Sequence, residues 1–293
     1  MSIPVGPTGS IAGMPELGWA AAASARAFGV RFGIRVNDAS LLPKLLDRLP
    51  PGSRACNDAG DNPICYSVVK ELDPVDAQFG AGWQVFAGTQ LEARTRDQIE
   101  ALEVFEGLVR FDVAQHATRW TFVHAGAVGW NGRAILIPGR SLSGKSRLVQ
   151  ALVRAGATYY SDEYAVLDRR GRLYPFAKPL TIRRADGATD RVTANELGGT
   201  PGTRSLSVGM VVSTSYVPGA VWNPSSVSPG AGMLALLENT PRAQEAPARV
   251  MIALAGAAGV AVTLKGPRGE AEATADELLN RAMSWHSPLR DIA

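Results

Sequence analysis

The spacing of apolar positions changes period several times along the chain. Phe28 to Val36 alternates apolar with polar or small residues, the period-two pattern of a half-buried strand. The residues before it, 1 to about 25, are rich in Gly, Pro and Ala and are predicted to be irregular. Asn37-Asp38 then caps a predicted helix through Leu41, Leu45 and Leu49, stopped by Pro50-Pro51-Gly52. A loop with Asn and Asp turn residues runs to about Pro63. Strands are predicted near 65–71, 82–87 and 90–94. Thr95-Arg96-Asp97 opens a helix whose Ile99, Leu102, Phe105, Leu108 and Val109 fall on one face. Up to about residue 118 the pattern reads as a small α+β unit without a catalytic cluster, expected either to select substrate or to support the larger second part of the chain.

From Trp120 the pattern tightens. Trp120 to Trp130 reads as a strand, Asn131-Gly132 is a strong hairpin signal, and Arg133 to Pro138 returns. An all-parallel doubly wound sheet has no hairpin between neighbouring strands, so the sheet is expected to be mixed. Arg147 to Val153 has helical spacing and is closed by Gly156. Thr158 to Ser161 is a predicted strand ending in Asp162-Glu163, and Tyr164 to Asp168 continues extended into a turn at 169–172. Strands are predicted near 173–177, 180–183, 208–213 and 259–264, and helices over 231–238, 242–257 and 274–283. The stretch 198–203, Gly-Gly-Thr-Pro-Gly-Thr, has no apolar anchor and is predicted to be a mobile loop. The fold class is therefore α/β, with residues 1–118 as a small N-terminal domain and 119–293 as the larger one.

The chemistry concentrates at Gly139-Arg140-Ser141-Leu142-Ser143-Gly144-Lys145-Ser146, which fits G-x-x-x-x-G-K-[ST]. A turn of this kind points backbone N–H groups inward around phosphate oxygens, and the following helix presents its N-terminal dipole to the same anion. In that reading Lys145 reaches the β- and γ-phosphates and the Ser146 hydroxyl ligates Mg²⁺. The strand before the loop and the helix after it supply the context that the pattern requires. Besides Lys145, the lysines of the chain are Lys44, Lys70, Lys178 and Lys265.

Phosphoryl transfer also needs carboxylates, and the next core strand ends in a pair. Neighbours on a regular strand face opposite ways, so Asp162 and Glu163 are expected to do different work, one as base and one toward the metal. His124 lies in the strand before the loop strand, flanked by Ala125 and Gly126, whose small side chains leave room for a ligand or another backbone. Arg183, Arg204 and Arg268 are further phosphate-binding candidates. His116 and His286 lack such surroundings and read as surface or packing residues.

Composition narrows the partners. A net charge of +3 over 293 residues, with the arginines scattered, gives no basic stripe for nucleic acid. The two cysteines, Cys56 and Cys65, have no metal-ligand spacing and read as free thiols. The N-terminus has no basic start before an apolar core, and the Ala-rich stretch Trp19 to Ala25 is too short to span a bilayer. A cytoplasmic protein without a membrane partner is the expectation, with homo-oligomerisation left open.

Taken together, His124-Ala125-Gly126, the loop Gly139 to Ser146 and Ser161-Asp162-Glu163 resemble the HPr kinase/phosphorylase family, over roughly residues 120 to 185. That resemblance implies a P-loop core of the phosphoenolpyruvate-carboxykinase-like type and a serine kinase using ATP and Mg²⁺, acting on a protein or peptide with an acceptor Ser. It also implies Asp162 as general base, Glu163 as the acid nearer the metal, and His124 as the active-site histidine. The chain departs from the family pattern at Leu142, where Gly is usual, and at Glu163, where Asp is usual. It lacks a recognisable form of the family's C-terminal arginine-bearing signature. The closer likeness is to HPr-kinase-related bacterial proteins, some of which phosphorylate ribosomally made peptides such as lasso precursors. A small-molecule kinase on the same fold and a nucleotide-gated binding module without catalysis are the alternatives.

Overall fold

In the computed structural model, which describes residues 18–56, 64–71, 82–140, 143–184 and 189–284, the chain divides between Ala117 and Thr118 into two units. The first contains β1 (Ala21–Ala27), β2 (Val30–Val36), α1 (Leu41–Leu46), β3 (Arg54–Ala55), β4 (Cys65–Lys70), β5 (Trp83–Ala87), β6 (Gln90–Thr95) and α2 (Gln98–His116). Its strands form one sheet in the order β3-β1-β2-β4-β5-β6, antiparallel except for the β2–β4 pair.

Residues 21–25, expected to be irregular, belong to the strand Ala21–Ala27. Alanines give little hydropathy contrast, so the pairing selects the strand. Phe28 (φ 49°) and Gly29 (φ 88°) both take positive φ, as a two-residue type I′ hairpin demands, and set Ala27 opposite Val30. The predicted helix over 41–49 stops at Leu46, and Asp38 closes a local turn by accepting from the Ser40 backbone rather than capping it directly. In α2 the N-cap is Asp97, whose carboxylate accepts from the Ile99 amide at 2.8 Å. Its buried face is Leu102, Phe105, Val109 and Val113, while Ile99 is 59% exposed and Leu108 half-buried.

The second unit contains β7 (Thr121–Trp130), β8 (Arg133–Pro138), α3 (Lys145–Arg154), β9 (Thr158–Ser161), β10 (Tyr164–Leu167), β11 (Leu173–Tyr174), β12 (Leu180–Arg183), β13 (Thr189–Val192), β14 (Ser207–Tyr216), β15 (Ser225–Val227), α4 (Pro229–Leu237), α5 (Pro247–Ala258), β16 (Val262–Arg268) and α6 (Ala271–Arg281). The main sheet runs β11-β10-β7-β8-β14-β16-β15, with β9 also on β7. Asn131 (φ 46°) and Gly132 (φ 75°) turn β7 antiparallel onto β8, and β8, β14 and β16 are mutually parallel. The sheet is mixed, as the hairpin requires.

Alternation along β7 and β8 builds a layer on each side. Val128, Ile135 and Ile137 pack with α3 and α6, while Val123, Ala127 and Leu136 pack with α4 and α5. Both faces of β7 and β8 are buried, which is why these strands are almost wholly apolar. Shifted boundaries elsewhere follow from proline and pairing: α5 starts at Pro247 and β16 extends through Arg268 beside β14. The short strands β13 and β15 are edge elements without a periodic signal. The loop 198–203, expected to be mobile, is pinned. Tyr159 N donates to Thr200 O at 2.8 Å and Gly202 N to Tyr159 O at 2.6 Å. A Cβ at Gly202 would meet the Tyr160 ring at 2.4 Å, so this glycine lets the loop lie flat on the aromatic ring. Among the described residues, no helix is long and apolar enough to cross a membrane.

Candidate functional site

Two neighbouring residues of β7 hold the site together. His124 O accepts from Gly139 N at 3.3 Å, at the entry to the glycine-rich segment. Ala125 N donates to Glu163 O at 3.0 Å, at the acidic turn. The segment that leaves β8 and the turn between β9 and β10 therefore meet on either side of one stretch of strand. His124 N is itself held by Asn239 O at 2.7 Å, after α4. The room expected at Gly126 is filled: a Cβ there would lie 2.5 Å from a Val149 methyl, so the glycine admits α3 rather than a ligand.

The helix start is built by local conformation. Gly144 takes φ 85°, ψ 12°, the left-handed N-cap of α3, and Lys145 is the first helical residue. A Cβ on Gly144 would come within 2.3 Å of Arg268 Nη2. Arg268 is 2% exposed, donates from Nη2 to Gly144 O and from Nη1 to Gly269 O, each at 2.9 Å, and lies over the Tyr216 ring at 5.5 Å. Of the arginines considered from sequence, it is the one that braces this segment. Arg204 receives the Tyr160 hydroxyl on its carbonyl, and Arg183 ends β12. Ser141 and Leu142, expected within the loop, and His286 lie outside the described residues.

Lys145 is 7% exposed, and its Nζ donates to Gly139 O at 2.7 Å and Arg140 O at 2.6 Å. Burial pulls its ammonium down to about 8, and the negative charges of Asp162 and Glu163 counter part of that effect. Burial likewise holds His124 below its ordinary value, helped by the charge of Lys145 and opposed by the two acids. The imidazole is neutral at pH 7. The charges of Asp162 and Glu163 act on both Lys145 and His124, and that of Lys145 acts on His124, which marks the four as one cluster. Ser146 is half-buried in the first turn of α3. Among the described residues, Ser143 Oγ, Thr214 Oγ1 and Arg268 Nε are buried without a hydrogen-bond partner. A cavity of about 380 Å³ opens beside Pro138, walled by Ser213, Thr214, Ser215, Lys265 and Pro267 at the ends of β14 and β16.

The two acids do not face opposite ways. The ladder is interrupted at Asp162–Glu163, and both carboxylates converge on one lysine. Lys178 Nζ lies 3.1 Å from Asp162 Oδ1 and 3.4 Å from Glu163 Oε2, and its side chain is 7% exposed. Tyr159 donates its hydroxyl to the same Asp162 Oδ1 at 3.0 Å, and burial beside that carboxylate pushes the phenol well above its ordinary value. Asp162 is 5% exposed, so its charge depends on these partners. Sequence reasoning passed over Lys178. The available signal was a rare cation inside the apolar run Phe176 to Leu180, whose ends are 1% and 0% exposed. Among the described residues, no cluster of three or more His, Cys, Asp or Glu side chains is placed to hold a metal ion. The chain matches no protein-family model, and no curated protein matches it.

Proposed function

We propose that the second unit is a P-loop kinase core of the phosphoenolpyruvate-carboxykinase-like type, transferring the γ-phosphoryl group of ATP to a serine hydroxyl of a protein or peptide. The observation that carries this reading is the pair of backbone contacts at His124 and Ala125, which set the glycine-rich segment and the acidic pair side by side. The residues present fit magnesium and a nucleotide. The donors are hard oxygens, from Ser146 and Glu163, and Mg²⁺ commonly uses one or two protein ligands with phosphate and water completing the set. Ser143 Oγ and Arg268 Nε, buried beside the segment without partners, suit an anion that is held there. When bound, magnesium neutralises charge on the phosphate oxygens.

The chain's own residues account for the rest. Lys145 exchanges two carbonyl oxygens for phosphate oxygens, which compensate its buried charge better. Asp162, with Oδ1 accepting from the Tyr159 hydroxyl, takes the proton of the acceptor hydroxyl on Oδ2. Neutral His124 donates or accepts one hydrogen bond beside them without adding charge. The cavity walled by Ser213 and Lys265 lies on the flank of the segment away from the acids, and suits the sugar end of the nucleotide. Lys145→Ala is expected to abolish both ATP binding and transfer. Asp162→Asn is expected to bind ATP within about threefold of the parent and to lose at least about 100-fold in turnover. Labelled-ATP transfer to cell-extract protein and small-molecule fractions, with mass spectrometry of products, reads both. Undiminished transfer by Asp162→Asn removes the base assignment, and ATP binding without any product removes the kinase reading.

A further inference from the structure

Lys178 is built into the junction of Asp162 and Glu163 more firmly than a chance ion pair requires. Its segment is anchored at Phe176, whose N donates to Tyr160 O at 3.2 Å and whose ring lies edge-on to Phe122 and Tyr164 at 5.9 Å and 6.2 Å. The ammonium donates to Pro179 O at 3.2 Å and lies within ion-pair distance of both Asp162 Oδ1 and Glu163 Oε2. Two adjacent carboxylates, one of them 5% exposed, repel strongly unless a cation lies between them. The seat that the ammonium takes is the one a divalent cation needs in order to touch the acid pair.

We propose that Lys178 is a positioning residue that stands in for the divalent cation, holding Asp162 and Glu163 together on one face until the metal displaces it. This rests on the kinase reading for its purpose, though its geometry stands apart from the identity of the nucleotide. The acids are preset by an internal cation, and the metal must compete with it for entry. Sequence position alone did not suggest this role, because the lysine and the acid pair belong to different segments, with two strands between them.

The test uses the full-length chain and Mn²⁺ as the probe, with binding read by electron paramagnetic resonance with and without ADP. Lys178→Met vacates the seat and leaves the acids one charge more negative, so Mn²⁺ is expected to bind at least about tenfold tighter than to the parent. Lys178→Arg keeps the charge in a larger, planar cation that grips both carboxylates, so Mn²⁺ is expected to bind about tenfold more weakly. A folded Lys178→Met protein that binds Mn²⁺ no tighter than the parent overturns the proposal. Where Lys178→Met fails to fold, Lys178→Arg decides: Mn²⁺ affinity equal to or above the parent's overturns it. ATP binding by the parent is measured in parallel with a fluorescent analogue. ATP binding with no change in Mn²⁺ affinity sinks the Lys178 role and spares the kinase reading. The Mn²⁺ changes without ATP binding do the reverse.

Discussion

Lys145 carries the charge that its surroundings disturb most usefully. Its ammonium is drawn from an ordinary 10.5 to about 8, chiefly by burial. The sign follows from proton counts. Between about pH 8 and 10.5 the unfolded chain holds this proton and the folded chain has released it, so this group makes stability rise with pH across that window. Ligand binding runs the other way. A bound polyphosphate keeps the ammonium charged, so binding takes up a proton once the free site has lost it. ATP affinity is expected to be flat below about pH 7.5 and to fall above about 8, approaching about tenfold per pH unit. Isothermal titration calorimetry in buffers of different ionisation enthalpy checks both the slope and the proton uptake. A dissociation constant unchanged up to about pH 9.5 would count against Lys145 as the phosphate ligand.

The elements around the site are tied by close backbone approaches that hydropathy does not encode. Gly171 (φ 76°) ends the turn after β10, and a Cβ there would lie 2.2 Å from Ala257 N and 2.6 Å from Ala253 O of α5. A Cβ on Gly256 would likewise lie 2.5 Å from Arg170 O. Gly171→Ala combines a left-handed side chain with overlap against backbone, and is expected to destabilise the second unit by about 3 kcal/mol or more. Gly219 provides the control, since its φ is 74° and nothing lies within 4 Å of its would-be Cβ. Gly219→Ala is expected to cost only about 1 kcal/mol. Urea unfolding compares the two, and equal losses would show that the contact with α5 contributes nothing. Because α5 lies across the sheet from α3, ATP affinity of the folded Gly171→Ala protein is expected to be unchanged.

Every residue named in the candidate site lies in Thr118–Ala293, and so do the two apolar clusters that flank its sheet. The second unit owns its core. Residues 118–293 expressed alone are expected to unfold in one cooperative transition and to bind ATP within about tenfold of the full chain. Circular dichroism melting and nucleotide titration read the two properties. A fragment that melts without cooperativity, or one that is folded but does not bind, would assign part of the site's integrity to residues 1–117.

What could be read from residue order was whatever depends on neighbours in sequence. Asn131-Gly132 dictates a hairpin because both positions accept positive φ, and this alone requires a mixed sheet. Asp97 caps α2 because its carboxylate reaches an amide two residues on. Gly144-Lys145 opens α3 because a left-handed residue must precede it there. What needed the folded chain was everything set by approach from a distance. The alanines of β1 become a strand only when β2 pairs with them. Which residues of α2 are covered is set by the strands packed against it, and Ile99 is left exposed. Asp162 and Glu163 both reach Lys178 because the chain bends between β9 and β10, so the alternation of a regular strand does not apply to them, and the lysine arrives from a later segment.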